Sequence, residues 1–88
     1  MPKLEQEIVI KNKQGLHARP AAAFVQNVAK HNSTVMVRKG KERVNGTSIM
    51  GILTLGVQQD SPITVEIDGE DAQNVLEELE KFLSSENM

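Results

Sequence analysis

The sequence predicts an α+β protein in the order βαββαβα, with three helices packed on one face of a four-stranded antiparallel sheet. Two helical stripes and one strict alternation carry that prediction. Ala21, Phe24, Val25 and Val28 recur at helical spacing, as do Ala72, Val75, Leu76, Leu79, Phe82 and Leu83, which places each apolar set on one face of a helix. Ile63, Val65 and Ile67 alternate with Thr64, Glu66 and Asp68, the period of a strand with one buried and one wet face.

The other elements fall between these. Residues 7 to 11, Glu-Ile-Val-Ile-Lys, form a β-branched run ended by Asn12-Lys13-Gln14-Gly15, as a strand followed by a loop would be. The first helix spans residues 18 to 30. Thr34 to Arg38 and Glu42 to Asn45 flank Lys39-Gly40-Lys41, where glycine supplies the positive φ of a tight hairpin. From Ser48 a short helix runs through Ile49, Ile52 and Leu53 to a stop at Gly56, despite Gly51 inside it. Glu70 and Asp71 precede the last helix, where its dipole favours negative charge. The sheet face away from the helices is expected to be solvated.

Composition narrows the function classes. Eighty-eight residues make a single domain, residues 1–88, with little volume for a deep substrate cavity. No apolar run approaches the roughly 20 residues that span a bilayer. Residues 1 to 5 lack the pattern of a secretory signal and the chain has no cysteine, so the expected address is cytoplasmic. A net charge of -2 gives no electrostatic case for nucleic acid or anionic membranes. His17 and His31 are the only histidines and neither has a second ligand at helical or turn spacing, so no metal or other cofactor is expected.

Gly15-Leu16-His17-Ala18-Arg19-Pro20 is the most informative stretch, because it lies where a loop enters the first long helix. The first N–H groups of a helix lack internal partners and carry partial positive charge, which suits an anion such as phosphate; here those groups include Ala18 and Arg19. Pro20 fits the first turn because it has no N–H to leave unpaired. An imidazole keeps one ring nitrogen unprotonated near neutral pH and can act as a nucleophile; its phosphoryl adduct is reactive enough to pass on. Arg19 offers a guanidinium fork for phosphate oxygens. The plainer alternative is that His17 caps the helix and Arg19 is a surface charge.

With Ser48-Ile49-Met50-Gly51-Ile52-Leu53 followed by Leu55-Gly56, this stretch resembles the two signatures of the HPr family, the histidine-containing phosphocarriers of the phosphoenolpyruvate-dependent sugar phosphotransferase system. The resemblance covers essentially the whole chain. It implies an open-faced β-sandwich and a phosphocarrier rather than an enzyme, with His17 phosphorylated on Nδ1 and Arg19 assisting. Enzyme I would be the donor and the IIA domains of sugar permeases the acceptors. It also implies an apolar docking patch, to which Ile49, Met50 and Leu53 are assigned, although one or two of them could be core.

Ser48 has two readings. A serine oxygen at a helix N-cap accepts from a free backbone N–H, and in many relatives the matching serine is phosphorylated by HPr kinase/phosphorylase. Here Thr47 precedes it, where many family members have lysine. His31 is expected at the surface near the end of the first helix, and Phe24 and Phe82 in the core.

Three other classes compete. An RNA-recognition module has the same element order but stacks bases on aromatics of its central strands, and this chain has none there. A hydrolase using His17 as base would need a nucleophile and a water-excluding pocket. A regulatory HPr-like protein, linked to nitrogen or to a serine kinase and not to sugar transport, stays open.

Overall fold

The computed structural model describes residues 3–85 and shows seven elements: β1 (Lys3–Val9), α1 (Ala18–Ala29), β2 (Thr34–Lys39), β3 (Glu42–Asn45), α2 (Ile49–Thr54), β4 (Pro62–Asp68) and α3 (Ala72–Ser84). The strands form one antiparallel sheet in the order β1-β4-β2-β3. Inward-pointing Ile63, Val65 and Ile67 of β4 and Val35 and Val37 of β2 join Ala21, Phe24 and Val28 of α1, Ile52 of α2, and Val75, Leu79 and Leu83 of α3 in one core. Phe24, buried in that core, meets Phe82, which is only partly buried against it, with ring centroids 6.3 Å apart and planes tilted by 49°.

The first strand lies further toward the N-terminus than the β-branched run suggests. It starts at Lys3 and pairs with β4 from Lys3↔Asp68 to Val9↔Pro62. An edge strand meets water on its free side, so polar Lys3, Glu5 and Glu7 fit it although they dilute the apolar signal. Ile10 and Lys11 have left the ladder: Ile10 N–H donates to Ser61 O at 3.0 Å and Lys11 N–H to Leu83 O at 3.1 Å.

The outer sheet face is not uniformly solvated. Glu66 of the interior strand β4 is 6% exposed, because two arginines lie over it, Arg38 from the adjacent β2 and Arg43 from β3 beyond it. Arg43 donates from Nε and Nη2 to Glu66 Oε1 at 3.1 and 3.0 Å, and Arg38 Nη1 donates to Oε2 at 2.8 Å. A carboxylate this far from water needs such donors.

His31, expected at the surface, is instead partly covered. Its side chain is 15% exposed, with Nε2 2.5 Å from Glu78 Oε2 and Nδ1 3.8 Å from Asp71 Oδ2. Asp71 also accepts from the Ser33 hydroxyl and, at 3.2 Å, from Asn32 N–H. The loop after α1 is thus tied to the start of α3. These donors, the Ser33 hydroxyl foremost, hold the Asp71 carboxyl below its ordinary value.

The hydrogen bond from Arg43 likewise holds the Glu66 carboxyl below its ordinary value of 4.5, outweighing burial, which acts the other way. A lowered folded-state value means that the Glu66 contribution is complete above about 4.5 and is lost as pH falls through the folded-state value. Glu66→Gln should therefore cost about 2 kcal/mol at pH 7, less than full removal of a buried partner because both arginines stay half in water. The cost should shrink on acidification, a trend that urea unfolding at pH 7 and pH 3 measures.

Candidate functional site

The chain between β1 and α1 is built around one tight turn. Gly15 N–H donates to Asn12 O at 2.9 Å, and the Asn12 side-chain Nδ2 donates back to Gly15 O at 3.0 Å. Gly15 has φ +61°, and a Cβ there would lie 2.2 Å from Val57 O, so both the conformation and the space require glycine. Leu16 follows, buried, with its N–H donating to the same Val57 oxygen at 3.0 Å. The loop that trails α2 therefore clamps the residue before His17.

His17 occupies the N-cap of α1 with extended backbone, and its side chain makes no capping bond. Its carbonyl accepts from Ala21 N–H at 2.7 Å and starts the helix, which leaves the exposed ring free. The capping alternative thus fails for the side chain. Ala18 and Arg19 N–H have no acceptor among the described residues, Pro20 has no N–H, and no acidic residue stands in the first turn. Arg19 is exposed and has no ion-pair partner among the described residues. Together these form an uncompensated positive end beside a free imidazole, which suits a phosphoryl group.

α2 packs against α1. Of its apolar side chains Ile52 is buried and Leu53 is partly covered by the core, whereas Met50 is 70% and Ile49 43% exposed. Gly51 lets the helix lie against β3, since a Cβ there would sit 3.1 Å from Val44 Cβ. Ser48 is the N-cap: its Oγ accepts from Gly51 N–H at 3.0 Å. Thr47 folds back onto Asn45, with its N–H and hydroxyl both donating to Asn45 Oδ1.

The residues that sequence reasoning missed are Asn12 and Val57. Val57 leaves no side-chain signature because it acts through its carbonyl, whereas an asparagine three residues before a glycine is a recognised turn signal. Elsewhere, a concavity of about 580 Å³ is lined by Asn32, Thr34, Asp68, Glu70, Asp71 and Asn74; its carboxylates repel a phosphate. Among the described residues no three His, Cys, Asp or Glu side chains gather as metal ligands, and no helix is long and apolar enough to cross a membrane.

An open-faced sandwich that offers a free histidine at a helix N-terminus defines the class of histidine phosphocarriers. The comparisons agree. The family model described as the PTS HPr component phosphorylation site matches residues 4–85. Over 83 residues the chain is 39% identical to the HPr-like protein Crh of Halalkalibacterium halodurans, covering 94% of this chain and 99% of the relative. It is 42% identical to the phosphocarrier protein HPr of Xylella fastidiosa, covering 93% and 92%. The crystal structure of an HPr from Bacillus anthracis superposes with a TM-score of 0.90 at 35% identity, covering 94% of this chain and 99% of that one. The chain belongs to the HPr family of the phosphotransferase system.

The site's geometry generates one test of its own. Gly15→Ala should lower unfolding free energy by about 2 kcal/mol or more, from the left-handed backbone and the Val57 contact together. Urea unfolding at pH 7 measures it, and a parent-like midpoint would show that the turn relaxes freely.

Proposed function

We propose that this chain accepts a phosphoryl group on His17 Nδ1 from phosphorylated Enzyme I and passes it to IIA domains of sugar permeases. The observation that carries this reading is the exposed imidazole of His17 beside two N–H groups and an Arg19 side chain that have no partner among the described residues. The unprotonated ring nitrogen attacks phosphorus as the donor's bond to phosphorus breaks, and delivery runs the same step backward toward a new acceptor. Ala18 and Arg19 N–H donate to phosphate oxygens, and the Arg19 guanidinium balances charge in transit. Such a protein is a carrier and not a catalyst, and it forms one domain over residues 1–88 that works in the cytoplasm.

A second reading rests on Ser48 and on the likeness to Crh as well as HPr. In it, HPr kinase/phosphorylase modifies Ser48 and the chain regulates without moving sugar. A phosphate there would take over from the Ser48 cap beside exposed Ile49 and Met50 and hinder docking on them. The free state of His17 favours the carrier reading.

Incubation with phosphoenolpyruvate and Enzyme I should add one acid-labile phosphoryl group, seen by intact mass and then discharged by a IIA domain. His17→Ala should abolish it. Undiminished labelling in that variant would remove His17 from the role, and an acid-stable adduct formed only with a serine kinase and ATP would favour regulation.

Ile49, Met50 and Leu53 form the docking patch of this reading, Met50 at its most exposed point. Placing charge there should cost about 2 kcal/mol, some thirtyfold in affinity for Enzyme I, as for a lost hot-spot contact. Met50→Glu should therefore bind about thirtyfold more weakly in calorimetry at a near-parent melting temperature; parent-like binding would move the patch elsewhere.

A further inference from the structure

We propose that Asn12 is a positioning residue for phosphoryl transfer, setting the place of the His17 ring by fixing the peptide planes on both sides of Gly15. The inference rests on the carrier reading of His17. A ring that makes no capping bond and has no side-chain partner among the described residues is located by its backbone. The carbonyl of Gly15 and the N–H of Leu16 belong to one peptide plane, and that plane is held at both ends: Asn12 Nδ2 donates to the carbonyl at 3.0 Å and the N–H donates to Val57 O at 3.0 Å. The preceding plane is held by Asn12 as well, through Gly15 N–H to Asn12 O at 2.9 Å.

Burial makes this grip firm. Asn12 is 3% exposed, so water does not readily replace its amide, and the donor has few other acceptors. Glycine at position 15 is the most freely rotating residue of the loop. Without the Asn12 amide the Gly15–Leu16 plane pivots about its one remaining bond, and His17 Cα and the open N–H groups of Ala18 and Arg19 move with it. Transfer between two proteins depends on a nucleophile already in line with phosphorus, so the loss falls on the rate of the transfer step and spares encounter with the donor.

Single-turnover transfer from phosphorylated Enzyme I tests this with Asn12→Ala and Asn12→Asp. Both variants should show a maximal rate about tenfold lower, the scale expected of a small misplacement, with an unchanged half-saturating donor concentration. In Asn12→Asp the ionised carboxylate cannot donate to Gly15 O, whereas the protonated acid can. Its rate relative to the parent should therefore recover as pH is lowered, and Asn12→Ala should show no recovery. A parent-like maximal rate in either folded variant overturns the inference, as does the absence of acid recovery. Should neither variant fold, the parent decides: Asn12 side-chain amide protons exchange slowly with water by NMR if the clamp holds, and fast exchange overturns it. Failure of the parent to take phosphate on His17 would instead overturn the carrier reading, and the exchange measurement would still report on the clamp.

Discussion

The carbonyl oxygen of Val57 lies where two distant stretches of chain meet, accepting from Leu16 N–H at 3.0 Å and lying so close to Gly15 that no side chain fits there. Through it the loop after α2 and the loop before α1 become one structure. The path continues into the sheet, because Lys39 at the end of β2 donates from Nζ to Leu55 O and Gly56 O at 3.2 and 3.1 Å. A lysine is well placed there, at the carbonyl-rich end of α2. The segment from Leu55 to Val57 is therefore held on one side by β2 and on the other holds the residue before His17. Buried Leu16, Leu55 and Val57 anchor the same junction in the core.

The two sheet faces have different work. The inner face is a continuous apolar surface against the helices, whereas the outer face closes over Glu66 with Arg38 and Arg43. That closure satisfies the carboxylate of an interior strand and spends two arginine charges on an intramolecular contact. Arg38 also lies 3.5 Å from Glu5 of β1, so the outer face ties β1, β4, β2 and β3 together. Arg19, which has no ion-pair partner among the described residues, lies instead at the start of α1.

Element identity was legible in the sequence wherever one face of an element is buried. The stripes of α1 and α3 and the inward positions of β4 show in the sequence, since burial writes itself into side-chain periodicity. The start of β1 does not, because an edge strand with polar outward positions carries a weak apolar signal. The cover over Glu66 and His31 leaves no local signal for a related reason: it comes from partners distant in sequence, Arg38 and Arg43 burying the one and Asp71 and Glu78 partly covering the other. At the candidate site, the positions of His17 at the start of α1, of Arg19 in its exposed first turn and of Ser48 at the N-cap of α2 are legible from residue types and neighbours. The contribution of Val57 is not, because a carbonyl is common to every residue.

The three helices begin in different ways. α2 starts on Ser48, whose oxygen takes the Gly51 N–H, and α3 starts on Asp71, an acid at the positive end of its dipole. α1 has neither device. A serine or aspartate in place of His17 would satisfy a free N–H and add about 1 kcal/mol of stability, and an acidic residue in the first turn would neutralise the dipole. Either would also occupy the place that the proposed carrier reading gives to an incoming anion. The open start of α1 is thus a local sacrifice of stability, bearable because Pro20, Ala21 and Phe24 seat the first turns in the core and because Asn12 and Val57 hold the approach. A group that must load and unload the same anion is best served by such an end, since a built-in counter-ion would have to be displaced at every cycle. The rigidity that a side-chain cap would have given is supplied by the turn before it.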